Sequence, residues 1–251
     1  MKQSAQKVSG VALLAVLWVV AALSLFVASL GKTVRSEAAL TSVSRDLVQG
    51  RAYGEAAIYQ ILTKIKQEGK NPEQTMTLQQ SWQGIPIEVQ ITPWSGLVNI
   101  NGAGLDVLTM LLQKTESVPM QQAQQIAQNI VDTRAKWREK NMPWEAVEDI
   151  LQVPGIDYSI FESLMPYLVA EKELRGGINF LASPQPLSQW LQESGLGISQ
   201  NASSRFIRLL AKVPFEEGYV AVERDYWVQP SVIGDGAWKL LASSQRWHKN
   251  Q

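Results

Sequence analysis

The sequence predicts an α+β protein: a long N-terminal helix packed on a small antiparallel sheet, with a large all-α block set between strands. Three observations carry this. An apolar run near the N-terminus passes directly into an amphipathic stripe with helical spacing. Period-2 alternation marks one strand near residue 85 and strand patterns return after residue 204. The residues in between carry helical periodicity, as an insertion into a simpler α+β domain would.

Residues 11–30 read VALLAVLWVVAALSLFVASL, with only Ser24 and Ser29 polar. A helix of this length spans about 30 Å, the thickness of a bilayer's hydrocarbon core. A secretory signal peptide competes for the segment, because Lys2 and Lys7 form a basic leader. The apolar core of a signal peptide runs to about 7–15 residues, and helical sequence here continues past the run. Residues 11–31 are therefore expected to be a retained transmembrane helix. Lys2 and Lys7 precede the span and Lys32, Arg35 and Arg45 follow it, so charge does not orient it.

Beyond the span, Leu40, Val43, Leu47, Gly50, Gly54, Ile58, Ile61 and Ile65 recur at steps of three and four. That is one stripe of an amphipathic helix, in which glycines permit close backbone approach. Gly69 and Asn71-Pro72 end it, so one helix is expected over residues 11–68. Ile85, Ile87, Val89 and Ile91 alternate with Pro86, Glu88 and Gln90, a half-buried strand whose proline suggests an edge or a strand start. Further strands are expected at 204–213, 219–228 and 238–246, and helices at 104–113, 119–140, 143–152, 158–170 and 184–193. Pro119, Pro143 and Pro184 suit first-turn positions, and Gly155 and Gly195 suit helix ends. The domain boundaries that follow are 32–97 with 203–251 for the α+β part and 98–202 for the helical block. A weak repeat frames that block: Val98-Asn99-Ile100 and Ile178-Asn179-Phe180 each precede a helix, with the asparagine placed to satisfy turn backbone.

Composition removes much chemistry. The 251 residues contain no cysteine and one histidine, His248, near the C-terminus. Disulfides, thiolate metal sites, cysteine nucleophiles and a Ser-His-Asp triad are excluded or disfavoured. With 23 basic and 23 acidic residues the net charge is zero, unlike a chain that binds nucleic acid through charge. Gly102-Ala103-Gly104 follows a strand, but Val107 occupies the third position of a dinucleotide fingerprint and no βαβ series follows. Val153-Pro154-Gly155-Ile156 resembles the hairpin of helix-hairpin-helix DNA modules. Around it Glu145, Glu148, Asp149, Asp157, Glu162, Glu171 and Glu173 stand against Lys172, a surface that repels phosphate. No calcium loop occurs; Glu216, Glu217, Asp225 and Asp235 are scattered oxygen donors that a structural calcium could use only by converging in space. No other cofactor is expected. Tryptophans 82, 94, 137, 144, 190, 227 and 238 read mainly as core, with some as interface anchors.

A basic leader ending in Gly10, an apolar helix from Val11, its amphipathic continuation and a small sheet together resemble the type IV prepilins and pseudopilins. The block containing VNINGAGLDVLTML and MPWEAVEDILQVPGID resembles the K minor pseudopilins of the type II (general) secretion pathway. Pilins carry glutamate at the fifth mature position; here that position is Ala15, and the K pseudopilins are similar in lacking it. Where many pilins start with phenylalanine, this chain has Val11. The resemblance implies residues 1–10 as a leader cut after Gly10 by a prepilin peptidase, N-methylation of Val11, and a single-pass inner-membrane protein with its soluble part in the periplasm. It further implies a non-enzymatic subunit that joins the I and J pseudopilins at the tip of a periplasmic filament, which exports folded exoproteins through a secretin. A pilus or DNA-uptake protein with a helix-hairpin-helix module is the competing reading, and a membrane-anchored enzyme the third.

Overall fold

The computed structural model describes residues 5–116, 118–172, 177–198, 204–230 and 236–250, and the side chains among them except at 5–12, 27–40 and 116. The chain divides into two compact units, residues 1–49 and 50–251. Helix α1, Ala5–Glu68, is continuous in both. It stops where the sequence places its end: Gly69 adopts φ 68°, and its N–H donates to the carbonyls of Ile65 and Lys66.

In the first unit the apolar side chains of residues 13–26 are exposed, Trp18 at 75%. Among the described residues no helix is long and apolar enough to cross a membrane. The side chains of residues 11–12 and 27–30, which belong to the apolar run, lie outside those described.

The second unit contains a five-stranded antiparallel sheet of order β1-β2-β5-β6-β7, made of β1 (Met76–Trp82), β2 (Ile85–Pro93), β5 (Phe206–Pro214), β6 (Gly218–Val228) and β7 (Trp238–Lys249). Strand β1 is absent from the sequence reading. It is an edge strand with most side chains in solvent, so burial imposes no alternation on it. The tight Gln83-Gly84 turn, with φ of 51° and 80°, pairs Trp82 with Ile85. Strand β2 is therefore not an edge; Pro86 is tolerated because the pairing with β5 begins only at Glu88. Residues 85–91 and 204–213, expected to pair across the helical block, do pair, from Glu88↔Lys212 to Pro93↔Ile207.

Helix α1 lies against β6. An added Cβ on Gly50 would come within 2.5 Å of Val220 Cβ, and one on Gly54 within 2.7 Å of Val222 Cγ2. Those two glycines let the helix approach the strand closely. Ala57, Ile58, Ile61, Leu62 and Ile65 are buried along the same stripe, as are Ile87, Val89, Ile91, Leu209 and Val222 of the sheet.

Between β2 and β5 lie β3 (Val98–Asn99), α2 (Leu105–Glu116), α3 (Met120–Glu139), α4 (Tyr158–Leu164), β4 (Leu168–Val169) and α5 (Leu187–Ser194). They enclose a separate apolar core that includes Leu108, Leu111, Ile126, Ile130, Ile150, Leu164 and Leu191. Three expected helices are shorter than the periodicity suggested. The 143–152 helix is only a 3₁₀ segment, Val147–Gln152, because the Asp149 carboxylate accepts the N–H of Glu145 at 2.9 Å and of Ala146 at 3.1 Å and holds the preceding backbone extended. The 158–170 helix ends at Leu164; Pro166 cannot donate, and a 3₁₀ turn leads into β4, which pairs parallel with β3. The 184–193 helix begins at Leu187 and ends at Gly195, whose φ is 65°.

Candidate functional site

Gly10 and Val11 lie within α1, and their side-chain positions are outside the described residues; Ala15 is described and exposed. Thus Ala15 faces the surroundings of the apolar run, where an alanine keeps helix propensity high and adds no charge.

The asparagine repeat is a repeat of structure. Asn99 Oδ1 accepts the N–H of Asn101 at 3.1 Å, and Asn179 Oδ1 accepts the N–H of Leu181 at 3.1 Å, the same turn in both copies. Each copy also pairs in parallel with a later segment: Ile100 N–H donates to Val169 O at 2.9 Å, and Phe180 N–H to Ile198 O at 3.2 Å. The first copy carries more. Asn99 also binds both backbone groups of Glu171, Nδ2 donating at 2.8 Å and Oδ1 accepting at 3.1 Å. Asn101 treats Trp144 in the same way at 2.9 and 3.1 Å. Arg134 and Arg138 donate to the carbonyls of Ile100 and Asn101 at 3.2 and 2.8 Å. Backbone that no helix or sheet satisfies is thus closed by side chains.

On the sheet, Arg208 of β5 faces its cross-strand partner Asp225 of β6 in a two-point ion pair, both bonds 2.9 Å. Glu223 lies 3.5 Å from the same guanidinium. Burial disfavours the charge on Arg208, but the carboxylates of Asp225 and Glu223 outweigh it and raise its pKa. Burial likewise pushes the Glu223 carboxyl above the usual range, aided by Asp225 and opposed by Arg208, Arg246 and Arg224. Elsewhere on β6, Arg224 reaches Glu55 of α1 at 2.6 Å. Partial burial raises the Glu55 carboxyl, and its bonds to Arg224 and Arg51 more than reverse that, holding it below the usual range.

Among the described residues the scattered acids do not converge. Asp225 is engaged by Arg208, Glu216 and Glu217 are exposed between β5 and β6, and Asp235 lies outside the described residues. Among the described residues no group of three or more histidine, aspartate or glutamate side chains could hold a metal ion. The Pro154-Gly155 turn packs on α3: Pro154 O accepts from Asn129 at 2.9 Å, and a Cβ added at Gly155, whose φ is 94°, would come within 3.0 Å of Ile126 Cγ1. Lys172 is paired with Glu145 at 2.8 Å. Trp94 and Trp144 are buried, Trp137 and Trp190 pack on the helical core, and Trp82 is more exposed. Sequence reasoning missed the Arg208 cluster; its signal was charged residues, Arg208 of β5 and Glu223 and Asp225 of β6, in strands whose remaining residues are mostly apolar.

No protein-family model matches the chain, and no curated protein matches it. Its fold is similar to that of a chain in the crystal structure of the GspK-GspI-GspJ complex from the enterotoxigenic Escherichia coli Type 2 Secretion System. That likeness has a TM-score of 0.50 at 13% identity and covers 84% of this chain and 99% of that chain. At such identity the likeness is one of fold.

Proposed function

We propose that this chain is a non-enzymatic minor pseudopilin of the K type, part of the tip complex of a type II secretion pseudopilus. The observation that carries the reading is the fold likeness to a chain of the GspK-GspI-GspJ complex across nearly all of that chain. The leader ending in Gly10 and the apolar run from Val11 support it from the sequence.

In this reading residues 1–10 are removed by a prepilin peptidase and Val11 is methylated. Residues 11–31 anchor the chain in the inner membrane, and the periplasmic part consists of 32–97 with 203–251, carrying the helical domain 98–202. Partners are the I and J minor pseudopilins and the filament below them; the secretin and the exoproteins are reached through the filament. Ala15 suits a capping subunit. A carboxylate in the hydrocarbon core costs roughly 2.5–3.5 kcal/mol and persists only with a partner, and a subunit with nothing above it has no neighbouring amine to meet.

The test uses the full-length protein in its own cells. Affinity purification after mild crosslinking should recover the I and J pseudopilins, and immunogold label should sit at one filament end. Label along the whole filament length, with no I or J recovered, would sink the proposal.

A further inference from the structure

We infer that Arg208 is the lock of a hinge: it fastens the helical body, residues 97–198, to the sheet, and that body swings on a neck made by Trp94 and Phe206 when the lock opens. The inference concerns residues 50–251 alone and stands apart from any role in secretion.

Three features lead to it. First, the helical core and the sheet core are not one cluster. Among the described residues a small apolar group, Trp94, Leu97 and Val169 with half-buried Phe206, lies where the chain leaves and re-enters the sheet. Trp94 and Phe206 stack there with centroids 5.1 Å apart, one residue from each crossing. Two chain crossings joined by one stacked pair form a narrow neck.

Second, beside that neck, two residues along β5 from Phe206, the body is held by one guanidinium whose five N–H donors are all used. Two go to Asp225. The rest go to backbone carbonyls of the helical body: Leu168 at 3.0 Å, Pro166 at 3.1 Å and Met165 at 3.4 Å. Arg246 of β7 adds a contact from its Nη2 to Met165 Sδ, and Thr75 Oγ1 donates to Ala182 O. Directional bonds of this kind hold one orientation and, unlike an apolar seam, can part without exposing a large apolar area.

Third, the packing beside the lock is incomplete. A cleft of ≈ 570 Å³ separates Glu145, Val169 and Lys172 of the helical body from Lys239 and Leu241 of β7, with Arg208 and Asp225 at its wall. A cavity of ≈ 50 Å³ lined by Glu148, Met165, Glu223 and Ser244 lies next to it. Close-packed bodies leave few such gaps; surfaces that separate do.

The chain has no cysteine, so Gln79→Cys on β1 and Gln124→Cys on α3, both exposed, can carry spin labels in the full-length protein. With Arg208 present the label distance should form a single narrow population. Arg208→Lys keeps the charge but cannot span Asp225 and three carbonyls at once. It should add a second distance population while circular dichroism and cooperative melting persist; an unchanged distribution in a folded Arg208→Lys chain would overturn the lock. Should that variant not fold, the unsubstituted chain decides by hydrogen exchange. The Arg208 Nη1 hydrogens, which bond the carbonyls of Pro166 and Met165 in the helical body, should be protected at least about tenfold less than the Leu209 amide of the same strand, since local opening needs less free energy than global unfolding. Exchange of both groups only together, on global unfolding, would overturn it equally.

Discussion

The sheet with α1 and the helical body between β2 and β5 bury their apolar residues by different means. In the first, long regular elements satisfy their own backbone, and side chains need only fit: Gly50 against Val220, Gly54 against Val222. In the second, helices of 7 to 20 residues are joined by irregular chain. Their junctions depend on polar side chains that bind irregular backbone, Asn99, Asn101, Asp149, Arg134 and Arg138 among them. The difference implies that the sheet body is sensitive to volume and the helical body to lost hydrogen bonds.

The largest effect should follow Asn101→Leu. It leaves both backbone groups of Trp144 without their partner in a buried site, a loss of about 2–6 kcal/mol at about 1–3 per unsatisfied group. Urea unfolding of the full-length chain measures it, and a loss below about 0.5 kcal/mol, the level of an ordinary surface substitution, would erase the contrast.

Gly50→Ala tests the other body. The new methyl meets Val220 at 2.5 Å, so overpacking of about 1–3 kcal/mol should exceed the gain in helix propensity of up to about 1 kcal/mol. Val220→Ala in the same chain should recover part of the loss. A double-mutant cycle that shows no coupling would mean that helix and strand are not in contact there.

The Glu223 carboxyl sharpens the comparison through pH. Its pKa is raised by burial and by Asp225, so the folded chain binds this proton more tightly than the unfolded chain. Stability from this group therefore increases as pH falls from neutral through the raised value toward 4.5, and is lost as pH rises back through it. Glu55 and His248, whose values are lowered, act in the opposite direction. The difference in melting temperature between the unsubstituted chain and Glu223→Gln isolates Glu223, and a difference independent of pH would contradict the assignment.

The smallest effect should come from Lys114→Ala. Its ion pair with Glu193 is 3.2 Å long but both side chains are about half exposed, so water and salt screen it and the loss should be no larger than that of an ordinary surface substitution. A larger loss would show that the α2 and α5 faces it joins hold the helical body together.

Elements whose side chains alternate between core and solvent could be read directly. The stripe of α1, the alternation of β2 and the inward positions of β5 and β6 each reflect a face that burial imposes on sequence. The same holds for Gly69 and Gly195 as helix ends and for the paired turns at Asn99 and Asn179, because left-handed backbone and side-chain-bonded turns select particular residues locally. The roles proposed for Gly10, Val11 and Ala15 rest on a family resemblance, since nothing local would distinguish a cleavage position from helix sequence. Strand β1 was not legible, because an exposed edge places no demand on hydropathy. Neither was the shortening of the 143–152 helix, which Asp149 and Asn101 decide by binding backbone that periodicity alone would make helical. The Arg208 lock was furthest from reach. Arg208 and Asp225 are 17 residues apart, and the carbonyls of Met165, Pro166 and Leu168 come from another body. Local patterning sets which face of each element is apolar; which polar groups must meet across elements depends on where folding brings them, and that only the assembled chain decides.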